Sequence, residues 1–467
     1  MQAAHRRAGR RRSSGPRALA AAHSRSQGPR SVHPLLRPLY AGAGALATLI
    51  ASASTADSAA PQANKLLRTF RARRGVLARW ERQAKQHRDP SRPLVWMHAP
   101  SVGEGLQARP VAHALREQHP GVQLAYSWFS PSAASFATSI GADFADYLAF
   151  DTASAADRML TALTPSVLVF SKLDIWPVLV ERAAARGVPV VLLSGTVAPG
   201  SGRRGTLARA LTQDAYRALS AVGAIDQANG ERLIELGVRT DTLHITGDTR
   251  FDQVWQRAQR VDRASPLLTA LHSDRPTMVA GSTWPADEAV LLPMWEAVRR
   301  AHPAARLIIA PHEPTTSHLT PILTWTRNAA LQCATLREVE EGTVDVSTAD
   351  VIVVDRVGVL GDLYALADMT FVGGGFHSAG LHSVIEPAAF GAPVLFGPAH
   401  SMSREAGLLL AAEGAISGDR ALLERTLQAW LTTPAVRITA GGRARAVVQD
   451  SLGATAQSLQ LVVDQLS

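Results

Sequence analysis

Two short stretches of the sequence combine residue types that could bind or transform a substrate. The first, VWMHAPSVGEG at residues 95–105, runs from apolar residues into a turn of small residues and ends beside the carboxylate of Glu104. A carboxylate in such a loop can act as a general base, because it can take the proton of an attacking hydroxyl. The simpler alternative is that Glu104 only favours the start of a helix, where the helix dipole stabilises a negative charge.

The second stretch is FVGGGFHSAGLHSVIEP at residues 371–387. The glycines Gly373, Gly374 and Gly375 follow a predicted strand, so their N–H groups could approach a phosphate. A predicted helix starting near His382 would direct its positive end at the same anion. Glu386 then lies one turn inside that helix, where it could bind ribose hydroxyls. By itself the pattern fits dehydrogenases, flavoproteins and sugar-nucleotide enzymes.

The elements that must position these residues alternate between short β-branched runs and helical segments, which indicates parallel α/β sheets. A charged stretch without strand signals, residues 253–276, divides the runs into two sets. The first set predicts strands at residues 94–99, 122–129, 166–170, 188–194 and 219–226. The second set predicts strands at residues 277–282, 305–312, 351–355, 369–375 and 392–397.

This order predicts two Rossmann-like domains that face a cleft, over residues 92–256 and 275–467, with helices at the end of the second. Ligands bind at the carboxyl ends of parallel strands, so Glu104 and the glycine-rich loop should both line the cleft. A standard dehydrogenase carries its fingerprint at the first strand-to-helix turn, whereas this glycine-rich loop falls in the second domain. The arrangement is more typical of the donor site of two-domain glycosyltransferases.

Charge and composition exclude several classes of protein. The chain has 467 residues, 46% of them hydrophobic, and a net charge of +9. Residues 1–92 hold 19 Lys and Arg against three acidic residues, so the remainder holds 29 against 36 and is acidic. A nucleic-acid partner is therefore not expected, since it would need a basic surface on the folded domains. Cys333 is the single cysteine, which excludes an intramolecular disulfide or a CxxC metal site and fits a reducing compartment.

The N-terminal region divides into two segments. Residues 1–33 are rich in Arg, Ala and Ser and predict a disordered basic leader, with a transit or signal peptide as the alternative. Residues 34–91 combine a short apolar stretch, 35–53, with a basic run, 65–88, whose apolar residues near helical spacing predict one amphipathic basic helix. The apolar stretch falls just short of a bilayer span. Together the two favour attachment to a membrane surface, although the basic run alone also fits a solvated surface helix.

Eight elements identify a family that the chain resembles, within a match that runs in order from about residue 39 to residue 415. They are HAPSVGEG (98–105), WFSPSA (128–133), SKLDIWP (171–177), GDTRFDQV (247–254), AGSTWPADE (280–288), APHEP (310–314), FVGGGF (371–376) and EPAAFGAPVLFGP (386–398). They are similar to elements of the 3-deoxy-D-manno-octulosonic acid (Kdo) transferases. FSPS, GDTRFD, GSTWPADE and APHE are more similar to the Bacteroidetes-type branch than to the enterobacterial one.

The resemblance implies a GT-B glycosyltransferase that inverts the anomeric centre without a metal or other cofactor. It implies CMP-Kdo as donor, a lipid A precursor as acceptor, and the cytoplasmic face of the inner membrane as location, reached through the basic N-terminal segment. The general base of the family falls on Glu104, and Glu386 would hold the ribose. The candidate contacts to the donor phosphate are Arg250, Ser282, Thr283, His312 and the backbone of Gly373, Gly374 and Gly375. Further candidate substrate contacts are Ser101, Lys172, Asp174 and His382.

The sequence departs from the family pattern at four of its positions. Asp174 stands where many members have Glu, and Lys172 replaces a Glu that is common in the enterobacterial branch. His312 stands where that branch has Arg, and Ser383 where the family usually has Asn. Arg250 could instead form an ion pair with Asp248 or Asp252, and His312 could simply end a strand.

Other functions remain open at the level of sequence. A transferase or epimerase acting on another nucleotide sugar, such as a UDP-hexosamine, is the main alternative. A non-catalytic nucleotide-sugar binding protein is another, because fold alone does not fix function. Glu104 disfavours that second alternative, since a protein that only binds has no use for a base. A NAD-dependent dehydrogenase is a more remote possibility.

Overall fold

A computed structural model describes residues 36–53, 65–378 and 380–466 of the chain. The leader predicted over residues 1–33 lies outside these residues. The described residues form two seven-stranded parallel sheets. The first contains β1 (Leu94–His98), β2 (Gln123–Trp128), β3 (Phe144–Tyr147), β4 (Val167–Ser171), β5 (Val190–Gly195), β6 (Ala221–Ala224) and β7 (Leu243–Ile245). The second contains β8 (Thr277–Thr283), β9 (Arg306–Pro311), β10 (Cys333–Thr335), β11 (Val351–Val353), β12 (Met369–Val372), β13 (Val394–Phe396) and β14 (Ala415–Ser417).

Helices precede the first sheet, cover its two faces and lead to the second. They are α1 (Leu36–Ala53), α2 (Lys65–Ala72), α3 (Val76–His87), α4 (Val102–Gln118), α5 (Ala134–Ala137), α6 (Ala153–Leu163), α7 (Pro177–Ala185), α8 (Thr206–Arg217), α9 (Gln227–Leu236), α10 (Thr249–Arg260) and α11 (Pro266–Ala270). The second half of the chain adds α12 (Pro285–Ala301), α13 (Thr316–Asn328), α14 (Leu336–Glu340), α15 (Leu360–Leu363), α16 (Ile385–Ala389), α17 (Arg404–Ala411), α18 (Arg420–Thr432), α19 (Pro434–Asp450) and α20 (Ala454–Val463).

The strand orders are β3-β2-β1-β4-β5-β6-β7 and β10-β11-β9-β8-β12-β13-β14. The order reverses between β1 and β4 in the first sheet and between β8 and β12 in the second, and ligands bind at such switch points in open α/β sheets. Glu104 follows β1, and the glycine-rich loop follows β12. Both candidate stretches therefore lie beside a switch point, as the predicted two-domain α/β fold requires.

The ten predicted strands are all present, and the four strands that the sequence did not predict are the edges of the two sheets. These are β3, β7, β10 and β14, each only three or four residues long. Central strands such as β1, β2 and β4 are buried along their whole length and read as continuous apolar runs. An edge strand is covered on fewer sides, so it needs no such run and gives a weaker signal.

The basic run at residues 65–88 differs from the single amphipathic helix that we predicted. It breaks at Gly75, which has a φ of +66°, into α2 and α3. Trp80 of α3 is fully buried in the core of the first domain, where its Nε1 donates to Tyr147 O at 2.9 Å. Arg73 is also buried and donates to Leu148 O and Phe129 O. The apolar face of α3 therefore packs on the first domain and is not available to a membrane.

The end of the chain returns to the first domain, although the sequence assigned residues 275–467 to the second. Leu459 and Val462 of α20 belong to the hydrophobic core around β1, β2 and β4. Asp252 of α10 fixes the start of α20, because its carboxylate accepts the N–H groups of Gly453 and Thr455 at 2.8 and 2.6 Å. Helices α10 and α20 thus connect the two domains side by side.

Candidate active site

Glu104 lies in the first turn of α4, where the start of that helix meets the end of β4. Ser101 Oγ donates a hydrogen bond to Glu104 Oε2. Lys172, directly after β4, places its Nζ 3.2 Å from Glu104 Oε1. Ser171 Oγ donates to the backbone oxygen of Glu104 at 3.0 Å. The structure therefore brings together Ser101, Glu104 and Lys172, three residues that the sequence placed in one site.

The electrostatic setting keeps Glu104 ionised. Burial raises the pKa of its carboxyl group, but the hydrogen bond from Ser101 and the positive charge of Lys172 bring the pKa below its ordinary value. At neutral pH the group is a carboxylate, the form that a general base requires. Its side chain keeps 17% of its surface exposed, so a hydroxyl group can reach it.

Asp174 lies in the loop that follows β4 but does not touch Glu104. Its carboxylate forms an ion pair with Arg203 at 2.6 Å. The same loop is fixed by Trp176, whose Nε1 donates to Nε2 of the fully buried His98 at 3.2 Å. Burial lowers the pKa of His98 to about 3, so this imidazole is neutral and serves to position the loop.

Arg250, at the start of α10, makes the ion pair with Asp248 that the sequence left as an alternative, at 2.6 Å. It also pairs with Glu405 of α17, a residue of the second domain. Burial lowers the pKa of Arg250, but the two carboxylates raise it above its ordinary value, so the guanidinium remains charged. Gln107, one turn after Glu104, donates to Asp248 at 3.4 Å. Arg250 is therefore connected to the helix that carries Glu104.

The glycine-rich loop corrects one prediction. The N–H groups of Gly373 and Gly374 donate to Gly281 O at 2.9 Å and to Asp287 Oδ2 at 2.7 Å, so they are not available to a phosphate. The glycines are required for close packing instead. A Cβ at Gly373 would lie 2.1 Å from Ser282 O, and one at Gly375 would lie 2.3 Å from the backbone nitrogen of Gly397.

The helix predicted from His382 begins later than expected, so Glu386 is its second residue and does not lie one turn inside it. It is α16, five residues long, and it starts at Ile385. His382 precedes it and packs against other rings. Its Nε2 accepts a hydrogen bond from Trp284 Nε1 at 3.0 Å, and its ring stacks on His312 with centroids 4.5 Å apart. Burial, followed by the neighbouring His312, lowers the pKa of His382, so its imidazole is neutral.

The remaining candidate residues from the sequence differ in how deeply they are buried and in whether they already have a hydrogen-bond partner. Ser282, with a φ of +54°, is half-buried at the end of β8. Thr283 is buried and its hydroxyl already donates to Glu288 at 2.9 Å, so it does not face the cleft. Glu386 is half-buried in α16. Burial raises the pKa of its carboxyl group, although Arg257 and Ser383 oppose this.

Two cavities border these residues. A cavity of about 650 Å³ lies between α4, α10 and α16 and is lined by Glu386, Ser383 and Arg257, among others. A second, of about 470 Å³, lies between the glycine-rich loop and the segment before α17. Arg250 borders both cavities. Among the described residues, no group of three His, Cys, Asp or Glu side chains is placed to hold a metal ion.

Comparison with known proteins gives this arrangement a family. A sequence profile of 3-deoxy-D-manno-octulosonic-acid transferases matches residues 68–253. The 3-deoxy-D-manno-octulosonic acid transferase of Bordetella pertussis is 30% identical over 406 residues, which cover 83% of this chain and 91% of that protein. The chain belongs to the Kdo transferase family. The Haemophilus influenzae enzyme of the same name is 25% identical over 79% of this chain and 86% of its own length.

Solved structures support the fold predicted for this Kdo transferase. A UDP-GlcNAc 2-epimerase from Neisseria meningitidis, bound to UDP-GlcNAc, aligns with a TM-score of 0.54 over 80% of this chain and 99% of that one. Its sequence identity of 11% makes this a similarity of fold alone. This alignment confirms the predicted GT-B fold, and membership of the Kdo transferase family confirms the predicted glycosyltransferase class. The similarity to the Bacteroidetes-type branch stays a prediction.

Sequence reasoning missed several residues that shape the site of this transferase. Asp287 holds the glycine-rich loop, since it also accepts the Phe376 N–H at 3.0 Å. Asp287, an acid in the first turn after Pro285, is a helix-start signal that the sequence shows. Its hydrogen bond to Gly374 could not be predicted from the sequence. Glu405 lies 155 residues from its partner Arg250, and Arg404 pairs with Asp226 across the domains at 2.5 Å. No local pattern could have predicted these contacts.

Proposed function

We propose that this chain transfers Kdo from CMP-Kdo to a lipid A precursor, with Glu104 as the general base. The observation that carries the proposal is the ionised, accessible Glu104 at the carboxyl edge of β1, in a chain that belongs to the Kdo transferase family.

The proposed reaction is a single displacement. A hydroxyl oxygen of the acceptor attacks the anomeric carbon of Kdo while Glu104 takes the hydroxyl proton. The bond between that carbon and the phosphate oxygen breaks, and CMP leaves with the electron pair, so the configuration inverts. Arg250 is our proposed contact for the leaving phosphate, whose growing negative charge its guanidinium would stabilise beside its ion pairs with Asp248 and Glu405. Glu386 and Ser383, on the wall of the larger cavity, are our proposed contacts for the ribose.

We further propose that the enzyme works at the cytoplasmic surface of the inner membrane. One face of α1 exposes Leu39, Leu46, Leu49 and Ile50, while Tyr40 on the opposite face donates to Asp151 at 2.9 Å. Exposed basic residues follow in α3 and in the turn before it, at Arg74, Arg82 and Lys85. An apolar helix face beside basic residues suits binding to an anionic lipid surface. No helix within residues 36–53, 65–378 and 380–466 meets the length and hydropathy that a bilayer crossing requires.

The decisive experiment compares the wild type with Glu104→Gln in transfer from fresh CMP-Kdo to a tetra-acylated lipid A precursor, with a chelator present. Removal of a general base should lower kcat by about 10²–10⁴. Melting protection by CMP should stay unchanged, because the substitution removes no contact to the nucleotide. Glu341→Gln, at an exposed glutamate after α14, is the matched control.

Two results would contradict the proposal. The first is a folded wild type that transfers no Kdo and is protected against melting by UDP-GlcNAc rather than by CMP. This result would indicate an enzyme that acts on another nucleotide sugar. If Glu104→Gln were as active as the wild type, the donor assignment would stand, but Glu104 would not be the base. Its carboxylate would then only stabilise the start of the helix.

A further inference from the structure

Arg109 of α4 is a half-buried arginine at the wall of the larger cavity. In the part of the chain that the structure describes, no carboxylate pairs with it, and its guanidinium lies 5.2 Å from the centre of the Phe136 ring. Its Nη2 donates to the side-chain oxygen of Gln253, whose amide nitrogen donates to Leu106 O at 3.0 Å. A partly desolvated guanidinium is stabilised by a ligand that offers acceptor atoms.

The larger cavity joins Arg109 to residues of the second domain. Its volume is about 650 Å³, and it is also lined by Arg257 of α10 and by Ser383 and Glu386. Burial lowers the pKa of Arg109 and raises that of Glu386, and in both cases the next influence is the charge of Arg257, so the three side chains are neighbours. Arg257 is already paired with Asp362 at 3.2 Å. Arg109 is therefore the better donor for a ligand in this part of the cavity.

The proposed position of the donor directs its base to the same part of the cavity. Ser383 and Glu386 are the proposed ribose contacts, and Arg250, at the start of α10, is the proposed phosphate contact. Arg257 lies two turns further along α10, which is about 10 Å, and also lines the cavity. In a nucleotide, the base and the phosphate leave the ribose at opposite ends of the sugar ring. With the phosphate at Arg250, the base therefore extends towards Arg257 and Arg109.

The chemistry of the two pyrimidine bases says what an arginine at this position can distinguish. Cytosine presents two adjacent acceptors, O2 and N3, whereas uracil presents an N–H donor at position 3. A guanidinium carries donors only and suits two adjacent acceptors, as it does with O6 and N7 of guanine. Against uracil, one arginine N–H would face the N–H of the base, and both would lack an acceptor.

We propose that Arg109 donates to O2 and N3 of the cytosine ring and so selects a cytidine nucleotide over a uridine nucleotide. The first domain then reads the base of a donor whose ribose is held by the second domain. This inference rests on the proposed function, because it assigns one part of the same donor.

The test measures the dissociation constants of CMP and UMP by calorimetry, which requires no transfer reaction. The wild type should bind CMP about tenfold more tightly than UMP, a difference of about 1.4 kcal/mol. Arg109→Met keeps the aliphatic stem but removes the donors, so it should weaken CMP about tenfold and UMP less than about twofold. Arg109→Lys keeps the charge but loses the fork, so it should also lose the preference for CMP.

Arg116→Met is the matched control. Arg116 also lies on α4, but it is outside the cavity lining and is paired with Asp143 at 2.9 Å. Its replacement should change neither dissociation constant, and melting temperatures establish that all three variants are folded.

The outcomes separate this inference from the function on which it rests. Equal weakening of CMP and UMP in Arg109→Met would overturn it, since Arg109 would then act on the ribose or phosphate that both nucleotides share. A wild type without a preference, or a preference that survives in both folded variants, would also overturn it. If the wild type transfers no Kdo but both variants lose its preference for CMP, the proposed transfer fails and the base contact stands. If the wild type transfers Kdo and both variants keep the preference, transfer stands and the base contact fails.

Discussion

Lys172 offers the sharpest test of how the site tunes Glu104. Its Nζ lies 3.2 Å from Glu104 Oε1, and its side chain is 44% exposed. Two unit charges at that distance attract by about 5 kcal/mol at an effective dielectric constant of 20 and by about 1.3 kcal/mol in water. Because nearly half of the Lys172 side chain is in contact with solvent, the lower figure is the better guide. Removing the ammonium should therefore increase the proton affinity of Glu104 by about tenfold.

The expected consequence for Lys172→Met concerns the acidic side of the pH profile. Glu104 acts as a base only when ionised, and its pKa in the wild type lies below the ordinary value. In a plot against pH, kcat/KM should fall where Glu104 becomes protonated, and we call this fall the acid limb. The acid limb of the wild type should therefore lie below the pH at which an ordinary glutamate is protonated. In the variant it should move to higher pH. The plateau near pH 8 should still be reached, because Glu104 remains ionised there. A lower plateau would report a separate contact between Lys172 and the substrate.

The assay is initial-rate Kdo transfer between about pH 3 and pH 8.5, a range that extends below the ordinary pKa of a glutamate, with Lys85→Met as the control. Lys85 is exposed near the end of α3, away from Glu104, so its loss should leave the limb in place. A limb that does not move in Lys172→Met would refute the argument that the 3.2 Å ion pair sets the proton affinity of the base.

Three other variants test the packing of α3, the close contact at the glycine-rich loop and the membrane contact of α1. Trp80→Ala, at a fully buried side chain, should cost about 3–5 kcal/mol in the free energy of unfolding measured with urea, and a change under 1 kcal/mol would contradict the packing of α3. Gly373→Ala places a Cβ 2.1 Å from Ser282 O and should cost about 1–3 kcal/mol; stability equal to wild type would refute the close contact. Leu46→Ser with Leu49→Ser should reduce sedimentation with anionic vesicles without altering the melting temperature, and unchanged sedimentation would remove α1 from the proposed membrane contact.

Part of the site was predictable because local sequence sets it. A buried strand followed by SVGEG places Glu104 in the first turn of a helix, and this depends only on residues 95–105. The proximity of Lys172 was not predicted, because it depends on the structure placing β1 and β4 side by side, so that their carboxyl ends share one edge of the parallel sheet. The roles of Gly373 and Gly374 could not be predicted, because their N–H partners come from β8 and α12.

The sequence by itself determined the α/β class, the two domains, the family and the position of the candidate base. These features depend on the periodicity of apolar residues and on short motifs, which act over a few residues. Only the tertiary structure decided that Arg250 pairs with Glu405, that α3 belongs to the core, and that Arg109 and Glu386 line one cavity. Such contacts join residues far apart in the chain, and they form only where the packing of whole elements brings opposite charges or rings into reach.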